Sequence, residues 1–247
     1  MDRGTDTLKS VLNDSVKQID LRQTRRGCMQ ECLGCEAVNE FKYFTGDRDQ
    51  VAHSLADADF CGRFCCPLTY PFTTKVTDVE GSPNELITVD RPFVCCPSGP
   101  CKCCCYQEAT FSSGGEKLGS AVETCYCFVP KIKVLDADDQ EKYILRPPTC
   151  CGGMCVNICA EGNPCGQKGC CKSSFRFYPA DQEDINDNAA YIGKLLKRPK
   201  SLMTEVFTDA DSFLLDFPEG STAAEKGILL GSSLFLNVLF YEGGGKA

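Results

Sequence analysis

The chemistry of this chain concentrates in its cysteines: 21 of 247 residues carry thiols, and they come in groups. The densest run is Cys101, Cys103, Cys104 and Cys105, shortly after Cys95 and Cys96, with Cys61, Cys65 and Cys66 upstream. Thiols so placed can stay reduced, carry thioester-linked acyl chains, or act as soft ligands in four-thiolate zinc or iron–sulfur sites. A disulfide scaffold is disfavoured. The count is odd, the N-terminus lacks the ~7 to 15 residue apolar run of a secretion signal, and adjacent side chains point to opposite sides of an extended backbone. A reducing compartment is therefore expected. With one histidine, His53, any zinc site must be almost wholly thiolate. The spacings of Cys28, Cys32 and Cys35, and of Cys151, Cys155 and Cys159, would put thiols on one helical face, suited to a metal or equally to close packing of small side chains.

Composition narrows the function classes. The chain has 26 basic and 34 acidic residues, a formal net charge of -8, the wrong sign for wrapping a nucleic-acid backbone, so no nucleic-acid partner is expected. Charged residues make up 24%, near the globular norm, which argues against long disorder. No GxSxG, Walker or GxGxxG pattern is present. A Cys/His nucleophilic pair would have to use His53, which is expected in a loop, so covalent catalysis is not expected.

The elements that must position these groups are mostly strands. Residues 1–26 read as a polar N-terminal arm, flexible or weakly helical. Beyond it, PFTTKVTD, the turn VEGSPN and ELITVDRP form one hairpin, and VPKIKVLD, ADDQE and KYILRPP form another. The two are an internal repeat with a period of 55 at its clearest point: Arg91, Pro92, Cys95 and Cys96 correspond to Arg146, Pro147, Cys150 and Cys151. Each copy runs into a cysteine-rich loop and leaves through another strand, QEATF or SSFRFY. With further strands at 40–60 and 190–220, this predicts an antiparallel sheet large enough to close. Residues 223–242, AAEKGILLGSSLFLNVLFYE, read as a helix with no wet face. Its uncharged stretch is ~22 Å long against the ~30 Å core of a bilayer. A closed barrel around a buried helix accounts for both patterns.

From about residue 40 to Glu242 the chain resembles the phospholipid scramblase family. The resemblance is carried by ADADFCGRFCC at 56–66, PFTTKVTD at 71–78, VDRPFVCC and CKCCCYQE within 89–108, FTDADSF at 207–213 and LLGSSLFLNVLFYE at 229–242. It implies a tubby-like fold, a twelve-stranded antiparallel barrel around the hydrophobic C-terminal helix. It also implies calcium-stimulated, ATP-independent movement of phospholipids between leaflets. The expected organisation is an arm at 1–26, a barrel domain at 27–242 and a short tail at 243–247. The long Pro-rich N-terminal region of the longer family members is missing, and Asn237 stands where the family tends to have Asp.

Site residues follow from that resemblance. Cys101, Cys103, Cys104 and Cys105 match the family's palmitoylated cluster, with Lys102 interrupting it, and two or more acyl chains hold a domain stably on a membrane. A calcium loop would begin at Asp209, with Asp211 at position 3 and Asp216 or Glu219 contributing. However, Phe213, Leu214 and Gly220 occupy positions 5, 6 and 12, so calcium should bind weakly, at ~10⁻⁴ to 10⁻³ M. The alternation of Phe213, Leu215 and Phe217 favours a half-buried strand. Lys194, Lys197, Arg198 and Lys200 align with a nuclear-import segment and would equally suit anionic headgroups or a solvated face. Leu230, Leu234, Phe235 and Asn237 are expected in the buried helix. The expected partner is the phospholipid membrane, at the cytoplasmic face of the plasma membrane through acyl anchors, with a nuclear fraction and self-association left open. A second reading is a scaffold module that binds lipid headgroups or protein, with zinc held at the cysteine clusters.

Overall fold

The computed structural model describes residues 3–24, 40–46, 49–57, 69–78, 82–150, 153–156, 174–182, 185–186, 188–198 and 212–241. Among the described residues two helices are present, α1 (Arg3–Val11) and α2 (Ala223–Phe240). The strands are β1 (Gln18–Thr24), β2 (Glu40–Phe44), β3 (Gln50–Asp57), β4 (Phe72–Thr77), β5 (Glu85–Arg91), β6 (Cys101–Lys102), β7 (Glu108–Ser113) and β8 (Glu116–Glu123). They continue with β9 (Tyr126–Cys127), β10 (Ile132–Asp136), β11 (Glu141–Arg146), β12 (Thr149–Cys150), β13 (Cys155–Val156), β14 (Ser174–Pro179), β15 (Gly193–Arg198) and β16 (Ser212–Asp216). Twelve of them close into an antiparallel barrel in the order β1-β16-β15-β14-β11-β10-β8-β7-β5-β4-β3-β2.

Both expected hairpins form, β4–β5 and β10–β11, each with a register shift on its first strand, after Val76 and after Val134. The repeat is thus structural. β7 and β14 are the strands by which each copy leaves its cysteine loop; β6 of the first loop pairs with β9 in the 124–131 connection, and the second loop carries its own ladder, β12 with β13. Cys155 pairs with Cys150 in that second ladder, which corrects the helical-face reading of its spacing. Cys28, Cys32, Cys35, Cys151 and Cys159 lie outside the described residues.

The barrel's interior is α2. Lys226 to Phe240 are all buried, Leu230, Leu234, Phe235 and Asn237 among them. Thr222 and Glu225 cap its start reciprocally, satisfying backbone donors that have no helical partner. The helix tolerates Ser232 and Ser233 because their hydroxyls donate to Ile228 O (2.8 Å) and Leu230 O (2.7 Å), so neither hydroxyl is left unsatisfied. Gly231 lets the helix sit against Phe111: a Cβ there would lie 2.5 Å from Phe111 Cδ1. One small void, about 10 Å³ and lined in part by Tyr70, Phe72 and Leu234, remains beside the helix, room for about one water.

The N-terminal arm is a correction. Leu8, Val11 and Leu12 recur at helical spacing, Leu8 and Leu12 are buried, and α1 packs against β5 and α2. Ile19 and Leu21 alternate inward on β1, which pairs with both β2 and β16. The barrel therefore includes β1, and the domain begins well before residue 27. His53 is also corrected: it lies in β3, with Nε2 2.8 Å from Glu40 Oε1, and both side chains are nearly fully buried.

Candidate functional site: the thiol-bearing end of the barrel

Antiparallel strands make the chain alternate between the two ends of the barrel. The segments joining strands at one end are 25–39, 58–71, 92–107, 124–131, 147–173 and 199–211, and all 21 cysteines fall within them. Most connections at the other end are short, such as 114–115 and 137–140. The described thiols, spread over residues 95–155 in sequence, thus gather at one end of the fold. The segment carrying Asp209, Asp211 and Lys200 joins β15 to β16 at this same end, though those three residues lie outside the described ones. Cys61, Cys65 and Cys66 do as well.

The described part of this end is built on a buried polar network. Arg91 ends β5 with its guanidinium inward, donating from Nε and Nη2 to Gln107 Oε1 (3.2 and 2.6 Å) and from Nη1 to Tyr70 O (3.2 Å). Gln107 Nε2 donates to Cys96 O at 2.6 Å, and Lys102 Nζ donates to Cys96 O at 2.8 Å and Pro97 O at 3.1 Å. Glu123 accepts from Ser98 Oγ and from the Gln107 backbone N–H. Burial, together with the Glu123 carboxylate, pushes the Tyr126 hydroxyl well above its ordinary pKa. The repeat's second arginine, Arg146, reaches Gly153 O in the second loop at 3.4 Å. Lys102, which interrupts the cysteine run in sequence, points into this network and leaves Cys101 and Cys103 outward.

Above the network lies a patch of thiols. Cys95, Cys101, Cys103, Cys104, Cys105, Cys125 and Cys127 are exposed and Cys96 is partly so. Cys101 faces Cys127 across the β6–β9 ladder with sulfurs 3.1 Å apart. Cys95 Sγ is 3.7 Å from both Cys96 Sγ and Cys105 Sγ. The Cys96 thiol holds Cys95 below the ordinary thiol range, whereas the thiols of Cys96, Cys95 and Cys104 push Cys105 up to about 12. Cys125 and Cys127 went unnoticed in sequence because they sit 20 residues past the dense run, on the far side of a hairpin. Phe93 (55% exposed), Phe128 (44%) and Met154 (73%) project from connections at the same end.

The other expected site residues are scattered. β15 alternates, so Lys194 and Arg198 face outward while Lys197 faces the core, 4% exposed, with Nζ 5.1 Å from the Tyr241 ring and 5.7 Å from the Phe213 ring. Lys194 pairs with Asp216 (3.4 Å) and Arg198 with Asp20 (3.1 Å). The basic run is therefore not one surface patch: strand parity splits it. Asp216 ends β16, whose Phe213 and Leu215 are buried, as the alternation implied. Extended over five residues at ~3.3 Å each, β16 holds Asp216 ~13 Å from its first residue, Ser212, and Glu219 is exposed beyond it.

A helix-filled antiparallel barrel with its thiols gathered at one end is the class that fold and site define. The chain belongs to the scramblase family: the model described as Scramblase matches residues 16–161 and 158–243. It is 27% identical to phospholipid scramblase 1 of Rattus norvegicus over 87% of this chain and 57% of that one, and 27% identical to phospholipid scramblase 1 of Homo sapiens over 88% and 61%. It is also 27% identical to phospholipid scramblase 2 of Bos taurus over 87% and 65%. The chain thus spans about three fifths of the length of these relatives. No solved structure matches it.

Proposed function

We propose that this protein moves phospholipids between bilayer leaflets, without ATP and with calcium stimulation, while docked on the membrane by the thiol-bearing end of its barrel. The observation that carries this reading is the topology. The acylation candidates Cys101, Cys103 and Cys104, the exposed Phe93, Phe128 and Met154, and the connection holding Asp209 and Asp211 all belong to one end. Acyl chains there would bring that acidic connection to the headgroups, where a calcium ion shared with lipid phosphates would need few protein ligands. The names of the relatives, phospholipid scramblases, support the same activity.

Among the described residues the interior is filled by α2, and the void beside it, with room for about one water, is too small for a headgroup. Lipid would therefore cross beside the docked barrel, where local disorder lowers the desolvation cost of a polar headgroup in hydrocarbon. α2, 18 residues with mean hydropathy 1.3, is long and apolar enough to cross a membrane, but 83% of it is buried inside the barrel. The filled interior also favours the second reading, a membrane-bound scaffold with the same docking face.

Leaflet exchange of a labelled phospholipid in liposomes carrying the acylated chain separates the two. Acceleration, enhanced by millimolar calcium and no longer calcium-responsive in D209A/D211A, is expected. Stable membrane binding without exchange leaves the scaffold reading. The cytoplasmic face of the plasma membrane is the location such an anchor would give, with self-association and a nuclear fraction compatible with it.

A further inference from the structure

Zinc bound by thiolates at ~2.3 Å in a tetrahedral site places any two ligand sulfurs ~3.8 Å apart. Two of the sulfur separations within one group at the thiol end match that edge: Cys95 to Cys96 and Cys95 to Cys105, both 3.7 Å. All three sulfurs lie within 4.8 Å of one another. The pair Cys101 and Cys127, at 3.1 Å, is too close for such an edge.

The group is held from two directions. The Cys96 carbonyl is fixed from below by Gln107 Nε2 and Lys102 Nζ, both buried, which sets the direction of the Cys95–Cys96 segment. Cys105 reaches the same point from the other side of the loop in a left-handed backbone conformation, φ 51°, where a non-glycine residue is strained. Ordinary loop packing does not require a cysteine there, since Asn or Gly would adopt that conformation at less cost. Convergence of three sulfurs accounts for it. A divalent cation offsets two of the three thiolate charges, after three thiol protons go to solvent, and the remaining charge lies at the exposed face of the loop.

We infer that Cys95, Cys96 and Cys105 form a three-thiolate site for a soft divalent ion of the zinc class, with a fourth position that none of the described residues fills. The thiols of this end then divide their labour. Cys105 is withdrawn from acylation into the metal site, and Cys101, Cys103 and Cys104 remain for acyl chains. The site would fasten the two ends of loop 92–107 together under the membrane-facing surface.

The test uses the full chain, reduced and stripped of metal, with zinc alone as the probe and thiol alkylation mapped by peptide mass spectrometry. Zinc is expected to slow alkylation of Cys95, Cys96 and Cys105 together by at least ~tenfold while leaving Cys103 and Cys104 reactive. Equal alkylation of all five with and without zinc overturns the site. In C105S, protection of Cys95 and Cys96 should disappear; if they stay protected, Cys105 is not a ligand and the three-thiolate site fails. If C105S does not fold, protection in the parent chain decides the matter alone. Lipid exchange is not read in this experiment, so its outcome is separate from that of the proposed activity.

Discussion

Lys102 and Glu123 meet 3.3 Å apart beneath the cysteine loop, their side chains 3% and 0% exposed. A buried pair contributes little net stability against an apolar replacement, but removing one partner strands a charge. Lys102→Ala or Glu123→Gln should each lower unfolding stability by ~3 to 5 kcal/mol in a denaturant titration. The double replacement K102M/E123L should recover a large part of that loss, because it removes both charges and keeps the volume.

Gly231 and Leu234 probe the fit of the helix from opposite directions. Gly231→Ala forces a methyl against the Phe111 ring, which is itself fully buried, and should cost ~1 to 3 kcal/mol. Leu234→Ala leaves a hole beside the existing void and should cost ~2 to 5 kcal/mol. Calorimetric midpoints that stay unchanged in both would contradict a barrel packed around α2.

Asp136 closes the β10–β11 turn by accepting from the backbone N–H groups of Gln140 (2.9 Å) and Asp138 (3.0 Å), with Lys142 nearby at 3.4 Å. The Gln140 N–H, foremost among these contacts, holds its carboxyl below the usual range. Its contribution is therefore present above the unfolded pKa of ~3.9 and is lost as pH falls through the lower folded value. Asp136→Asn should lower Tm at pH 7, and the gap to the parent should narrow as pH drops below ~3.9. A gap of constant size across that range would mean the charge plays no part.

Replacing Cys101, Cys103 and Cys104 by Ser should move the protein from the membrane to the soluble fraction of cells. The fold should survive, since all three are exposed and the supporting contacts come from Arg91, Gln107, Lys102 and Glu123. Continued membrane retention would place the anchor elsewhere.

The hairpins, their repetition and the all-apolar helix were readable because alternation and turn residues leave a local trace. Lys197 was misread because it was grouped with its neighbours by charge, whereas strand parity sent it to the opposite side from them. α1 and β1 were missed because three apolar residues at helical spacing and two at strand spacing, within a polar stretch, carry little signal until the rest of the barrel is present to bury them. The gathering of thiols at one end has no local trace at all. It emerges from counting strands, which requires every strand to be found.

Barrel closure joins the first strand to the last: Gln18 pairs with Asp216, 198 residues later. A ribosome adding ~5 to 20 residues per second needs ~10 to 40 seconds to make that interval. The core helix follows still later, at 223–240. Throughout that time the nascent sheet has two open edges and an empty interior, both of which favour association with other chains. Closure must therefore wait until β16 is made, and the edges it finally joins, β1 and β15, mark where a chaperone would have to hold the chain.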